Sequence, residues 1–237
     1  MTAVTRPPID RDIFRTGGTY TISEAAKLAG TSPSNARRWF QGYKATGHQM
    51  RPVFHRPVKP VEERPVLLSF LDLAELIVAV RFRQGVDGHN PVKLERIREA
   101  HEYAVKQMRI PYPFATLKLR EFGGHILREY GESHPGPALV ALSMGGQIVL
   151  PAVVDMELDN FDYDADDSFA NAWHPYGREI PVVVNPRIAA GVPTIEGTRI
   201  TLDTIRQRRK VGESAEFIAD DYGIKRADVE AVLLHAA

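Results

Sequence analysis

The stretch Tyr20–Tyr43, YTISEAAKLAGTSPSNARRWFQGY, reads as two short helices joined by a tight turn. Ser23 is placed to cap the first helix, Ala25, Ala26 and Leu28 give it a small apolar face, and Gly30 stops it. Ser32 then reads as an N-cap with Pro33 at the first helical position, where proline's fixed φ and missing N–H are tolerated. Ser34, Asn35, Arg37, Arg38 and Gln41 fall on one side of the second helix, leaving Ala36, Trp39 and Phe40 to pack. A helix, a glycine-containing turn and a helix that opens on short polar and arginine side chains is the pattern of a DNA-reading helix-turn-helix. An ordinary surface αα-hairpin would share the helices without needing the two arginines.

Downstream, His48–Arg64 (HQMRPVFHRPVKPVEER) holds three prolines, which exclude a regular helix. Short extended runs are expected around Val53–Phe54 and Val66–Ser69, as a ribbon or wing decorated by Arg51, His55, Arg56, Lys59 and Arg64. Such a ribbon beside a reading helix would clamp phosphates; a solvated linker is the alternative. The expected DNA contacts are Ser32, Ser34, Asn35, Arg37, Arg38, Gln41 and Lys44, with Arg51, Arg56 and Lys59 on the backbone. Upstream, residues 1–19 contain Pro7, Pro8, Gly17 and Gly18 and read as an arm, loose or draped over the domain.

Ser69–Arg83 (SFLDLAELIVAVRFR) is a helix with a Ser69–Asp72 capping box and an apolar face of Phe70, Leu73, Ala74, Ile77, Val78 and Val80. Asn90 as cap and Pro91 as first residue begin the next helix. Leu94, Ile97, His101, Ala104, Val105 and Met108 recur on it at helical spacing, with Glu95–Arg98 and Glu99–Glu102 on the wet side. His101 reads as a core-edge histidine rather than a ligand. Helix-turn-helix, wing and two amphipathic helices, opened by YTISEAAKLAG and SPSNARRWFQGY and continued by LSFLDLAEL, resemble the winged helix-turn-helix of MerR-type regulators over about 90 residues. The long antiparallel coiled coil and effector cysteines of those regulators are missing here, so the resemblance implies DNA binding and not effector sensing.

From Phe114 to Tyr176 the texture changes. Apolar runs at His125–Tyr130, Ala138–Leu142 and Gly146–Val149 are separated by Pro135–Gly136–Pro137 and Gly145–Gly146. A short helix over Val149–Leu158 and strands at Phe161–Tyr163 and Phe169–Trp173 complete a small α+β middle, whose few strands suggest a sheet finished by a second copy. The DYDADD run (Asp162, Asp164, Asp166, Asp167) invites a calcium reading. An EF-hand loop from Asp162 would need glycine at its sixth position and glutamate at its twelfth, where Asp167 and Trp173 stand, so an acidic solvated loop is expected.

From Val182 a strand and a hairpin punctuated by glycine and proline lead to three helices, Leu202–Lys210, Ala215–Tyr222 and Arg226–His235. Thr201 and Ser214 serve as caps and Gly212 and Gly223 as stops. Leu202, Ile205, Phe217, Ile218, Tyr222, Val229, Val232 and Leu233 would make their core. The run NPRIAAGVPTIEGTRITLDTI closely resembles the signature of the domain of unknown function 433, through Pro186, Arg187, Gly191, Pro193, Ile195, Gly197, Thr198, Arg199 and Ile200. That resemblance implies a tri-helical, homeodomain-like fold found in VapB-like antitoxins, with a PIN-type ribonuclease toxin as partner. Arg199 would either anchor the hairpin or touch the partner. Arg206, Arg208, Arg209 and Lys210, at a helix C-terminus, would either be solvated or enter the toxin's acidic, metal-binding cleft.

The 237 residues carry 30 Lys+Arg against 30 Asp+Glu, but the charge is segregated: residues 1–120 hold 20 basic against 11 acidic, 121–180 hold 2 against 11, and 181–237 hold 8 of each. A basic front suits a polyanion, and an acidic middle would be repelled by one. There is no cysteine, which excludes disulfides and thiolate sites. No apolar run suits a membrane span or a signal peptide, so a cytoplasmic protein is expected. The 8 histidines form no HExxH pair, and no phosphate-cradling loop or nucleophile elbow is present, so neither catalysis nor a cofactor or metal is expected.

The expected architecture is therefore mainly α with a small α+β middle: an arm (1–19), a winged helix-turn-helix (20–112), a dimerisation or linker unit (113–180) and a tri-helical domain (181–237). The expected function is a DNA-binding antitoxin, a homodimer or a heterotetramer with its toxin, which represses its own operon and holds the toxin through residues beyond about 110. The rivals are a stand-alone dimeric regulator, which shares the DNA binding, and a scaffold or nuclease subunit, which predicts weak DNA binding or divalent-dependent cleavage.

Overall fold

Asp12 caps the first helix of the chain, α1 (Ile13–Thr16), by accepting from the amides of Phe14 and Arg15. This computed structural model describes residues 12–45, 47–54, 66–85, 91–119 and 152–235. About half of the described residues are helical, with small antiparallel two-stranded sheets. The chain packs into two compact units. One is built from residues up to Asp159 with Tyr163–Ala170, the other from Asn160–Asp162 with the residues from Asn171 onward; parts of the expected middle segment fall in each.

In the first unit β1 (Tyr20–Thr21) leads into α2 (Ile22–Leu28) and, after the Gly30 turn, α3 (Pro33–Gln41). β2 (Tyr43–Ala45) and β3 (His48–Met50) form an antiparallel hairpin pairing Tyr43 with Met50, and β4 (Leu67–Leu68) pairs back on β1. α2 is capped by Thr21 and not by Ser23. Thr21 Oγ1 accepts from the Glu24 amide while the Glu24 carboxylate accepts from the Thr21 amide, a reciprocal box that Ser23 has no partner to match. The ribbon also lies earlier than expected. Val53 and Phe54 are buried and not extended; their amides donate to the carbonyl of Trp39 (2.7 and 3.3 Å), satisfying the end of α3.

α4 (Phe70–Gln84) begins at the Ser69–Asp72 box as expected, with the Ser69 amide and hydroxyl on Asp72 Oδ2 at 2.9 and 2.7 Å. It is buried all round rather than on one face, because α1, α2, α5 (Leu94–Lys106) and a 3₁₀ turn at Pro113–Ala115 pack about it together with α6 (Ala152–Asp159). Each large apolar side chain so enclosed contributes roughly 1.5–3 kcal/mol. α5 starts at Leu94 with Lys93 at its cap, three residues beyond the expected Pro91. The apolar runs expected at His125–Tyr130, Ala138–Leu142 and Gly146–Val149 lie outside the described residues.

Arg15 is buried, with Nε on Asp12 (2.7 Å) and its two terminal nitrogens on the Asp167 carboxylate (3.0 and 2.6 Å). Burial works against its charge, yet the bonds to Asp167 and Asp12 outweigh burial and hold the guanidinium pKa above its ordinary value. The expected arm is therefore anchored from Asp12 onward, and Asp167 is engaged by Arg15 instead of being solvated. Among the described residues no cluster of three or more His, Asp or Glu is disposed to hold a metal ion.

β5 (Phe161–Tyr163) and β6 (Ala170–Trp173) form a two-stranded sheet. In the second unit, β7 (Val182–Val183) pairs with β8 (Thr194–Ile195), and α7 (Leu202–Lys210), α8 (Ala215–Tyr222) and α9 (Arg226–His235) follow at the expected bounds. Thr201 and Ser214 cap α7 and α8 by accepting from Thr204 and Phe217 amides (3.2 and 3.1 Å), and Gly223 ends α8 in the left-handed region. Val182, Ile195, Leu202, Ile205, Ile218, Ala219, Val229 and Val232 form the core. Phe217, expected inside, is 56% exposed. Trp39 is buried in the first unit and Trp173 in the second.

Candidate functional site

α3 divides its residues cleanly. Ala36, Trp39 and Phe40 are buried, while Ser32, Ser34, Asn35, Arg37, Arg38 and Gln41 are exposed, as is Lys44 on the adjoining hairpin. Ser32 Oγ accepts from the Asn35 amide at 3.1 Å, so the polar first turn is fixed at its start. Arg38 lies over the Tyr43 ring, 5.2 Å from its centroid, which pre-orients the guanidinium without occupying its donors. The exposed first turn of α3 and the β2–β3 hairpin thus present polar and cationic groups with no carboxylate among them, a surface suited to an anionic polymer.

Arg51, just after the hairpin, is exposed, and its guanidinium reaches Glu102 of α5 at 3.4 Å. Arg56 and Lys59, the rest of the expected phosphate clamp, lie outside the described residues.

The support behind this face comes from α5. Arg98, expected on the wet side, is 7% exposed; its Nε donates to the carbonyls of Arg51 (3.0 Å) and Pro52 (3.2 Å). Those carbonyls lie beyond the end of β3, and a buried arginine satisfies them. The signal was absent from the sequence because donor and acceptors are separated by more than forty residues. His101 is a fully enclosed core group, not one at its edge: its Nε2 meets Glu75 Oε1 and Oε2 at 3.0 and 3.1 Å, and its ring is edge-on to Phe54 (5.4 Å) and Phe114 (5.2 Å). Phe54 in turn stacks against Phe40 of α3 at 4.6 Å. An unbroken chain of packed rings and one buried histidine–glutamate hydrogen bond therefore runs from the exposed helix into α4.

In the second unit the basic cluster of α7 is mostly committed internally. Arg206 pairs with Asp203 (3.2 Å), Arg209 donates to the Glu213 carbonyl (3.1 Å), and Arg208 is bonded to both Glu213 and Asp221. Bonds to Glu213 and then Asp221 and Tyr222 hold the Arg208 pKa well above its usual value. Arg199 and Lys210 are exposed and make no ion pair among the described residues. Of the family-signature positions, Pro186, Gly191 and Ile195 are buried, while Arg187, Gly197 and Arg199 are exposed. Ala189, Ala190 and Gly191 carry positive φ in succession (47°, 51° and 74°), a left-handed turn between β7 and β8. His174 and Arg178 both bind Asp162 (3.1 and 2.9 Å); although burial alone would raise the Asp162 pKa, those bonds hold it below the ordinary value.

Among the described residues no helix is long and apolar enough to cross a membrane. The family described as protein of unknown function (DUF433) matches residues 182–236, so the C-terminal unit contains that domain. Over 217 residues the chain is 25% identical to a protein of Mycobacterium tuberculosis (strain ATCC 25618 / H37Rv) described as "Putative antitoxin VapB45", spanning 86% of this chain and 88% of that one. It is 24% identical over 241 residues to "Uncharacterized protein Rv2308" of the same organism, spanning 94% and 89%. The crystal structure of Rv2018 from Mycobacterium tuberculosis shares the fold, with a TM-score of 0.75 and 23% identity over 91% of this chain and 97% of that one.

Proposed function

We propose that this chain is a DNA-binding antitoxin. The similarity to the protein described as "Putative antitoxin VapB45", along most of both chains, carries the antitoxin half of the reading. The exposed face of α3 carries the other half. In this reading α2 and α3 are a MerR-like helix-turn-helix, the β2–β3 hairpin is its wing, and the three C-terminal helices are homeodomain-like. Ser34, Asn35, Arg37 and Arg38 enter the major groove of operator DNA. Ser32, Gln41, Lys44 and Arg51 lie along the phosphates, joined by Arg56 and Lys59. The protein represses its own operon and holds a PIN-type ribonuclease toxin. Arg199, whose guanidinium makes no ion pair among the described residues, is the residue we assign to the toxin's carboxylates.

Arg38→Ala is expected to weaken binding to DNA from upstream of the gene by about 1–3 kcal/mol, read by fluorescence anisotropy. Lys44→Ala should instead weaken all sequences alike and lower the salt slope by about one. Unchanged affinity on replacing Arg38 would remove that side chain from the interface. Co-expression tests the antitoxin half. The neighbouring reading frame expressed alone should arrest growth, and this chain should rescue growth and co-purify with its product. A harmless neighbour that does not co-purify would leave a dimeric regulator as the better account.

A further inference from the structure

We propose that the edge where α7 meets α8 is the seam through which two copies of this chain join, an inference that stands apart from the DNA and toxin readings. Phe217, on the first turn of α8, is 56% exposed, and Val211, at the end of α7, is 77% exposed. The Phe217 ring is nevertheless not loose. The Arg208 guanidinium lies 5.7 Å from its centroid and 4.8 Å from that of Tyr222, and the same guanidinium is tied to Glu213 and Asp221. A half-exposed aromatic already fixed by an arginine offers apolar area at little further ordering cost, the composition of an interface hot spot.

The charges on the two helices fit a second copy of this chain. On the α7 side stand Arg209 and Lys210, both exposed; on the α8 side stand Glu216 and Asp220, also exposed. Lys210 and Asp220 make no ion pair among the described residues, and Glu216 has only a 4.0 Å approach from Arg226. A partner of one sign would be drawn to one edge and repelled by the other. A two-fold axis beside Phe217 instead lays the basic edge of one copy on the acidic edge of its mate, so the patch complements itself, as an isologous contact must.

The full chain should sediment at twice its monomer mass at tens of micromolar. Phe217→Glu should raise the dimer dissociation constant at least about thirtyfold, with circular dichroism unchanged because the ring is half outside the core. Lys210→Glu, which disturbs no packed atom, should weaken the dimer, and Lys210→Glu with Asp220→Lys should restore it. A wild-type chain that is monomeric, a Phe217→Glu variant that stays dimeric, or a double charge swap without rescue would each overturn the seam. So would a Phe217→Glu variant that keeps its dimer mass but no longer co-purifies with the neighbouring gene product, since the patch would then belong to that protein.

Discussion

Gly42→Ala is expected to destabilise the first unit by about 3 kcal/mol or more, lowering its melting transition by roughly 6–12 °C. Gly42 ends α3 with φ 74° and ψ −177°, a conformation confined to glycine. A Cβ there would also stand 2.4 Å from the Met50 carbonyl oxygen and 3.2 Å from the Pro52 nitrogen. Both obstacles are backbone, so neither can swing aside. The hairpin would have to part from the end of α3, and the surface proposed to face DNA is built on that junction. Gly47 is the internal control: its φ is 80°, but a Cβ meets nothing within 4 Å, so Gly47→Ala should cost only the strain of the dihedral, about 1 kcal/mol. Thermal melts of the two variants should differ clearly, and equal melting temperatures would refute the role of the close approach.

The second large effect is expected at His101. Replacing it by Leu leaves the Glu75 carboxylate, 2% exposed, with the Phe114 amide at 3.4 Å as its remaining contact among those described above, and should cost about 3–5 kcal/mol. The loss arises from the buried carboxyl group left without its partner rather than from the pair's net worth. Glu75→Leu combined with His101→Leu should therefore be more stable than His101→Leu alone. Denaturant titrations of the two singles and the double form the cycle. Additive losses would show that the two side chains are not coupled.

What the sequence made legible was local. Ser69, Thr201 and Ser214 each announce a helix whose bounds the structure reproduces, because a cap and its amide lie within three residues of one another. Ser23 was read as the cap of α2, but the reach of Glu24 gives that place to Thr21. The polar and apolar sides of α3 were readable from periodicity. Arg98 was not: an arginine beside Ile97 looks solvated until the chain brings the carbonyls of Arg51 and Pro52 over it. Phe217 erred the other way. Periodicity assigned it to the core, but Ile218, Ala219 and Tyr222 already face that core on so short a helix, and Arg208 gives the ring another place. The basic run Arg206–Lys210 looked free in one dimension, yet Asp203, Glu213 and Asp221 take up most of it.

The two tryptophans of the chain fall one to each compact unit, Trp39 at 6% exposure and Trp173 at 2%. Both indoles are buried, so their emission is expected to shift to the red on meeting water. A Trp173→Phe chain would report the fate of the α3 unit alone, and a Trp39→Phe chain that of the C-terminal unit alone. Intrinsic fluorescence can thus assign each melting transition, each quench by added DNA and each response to a protein partner to one half of the molecule, without any attached dye.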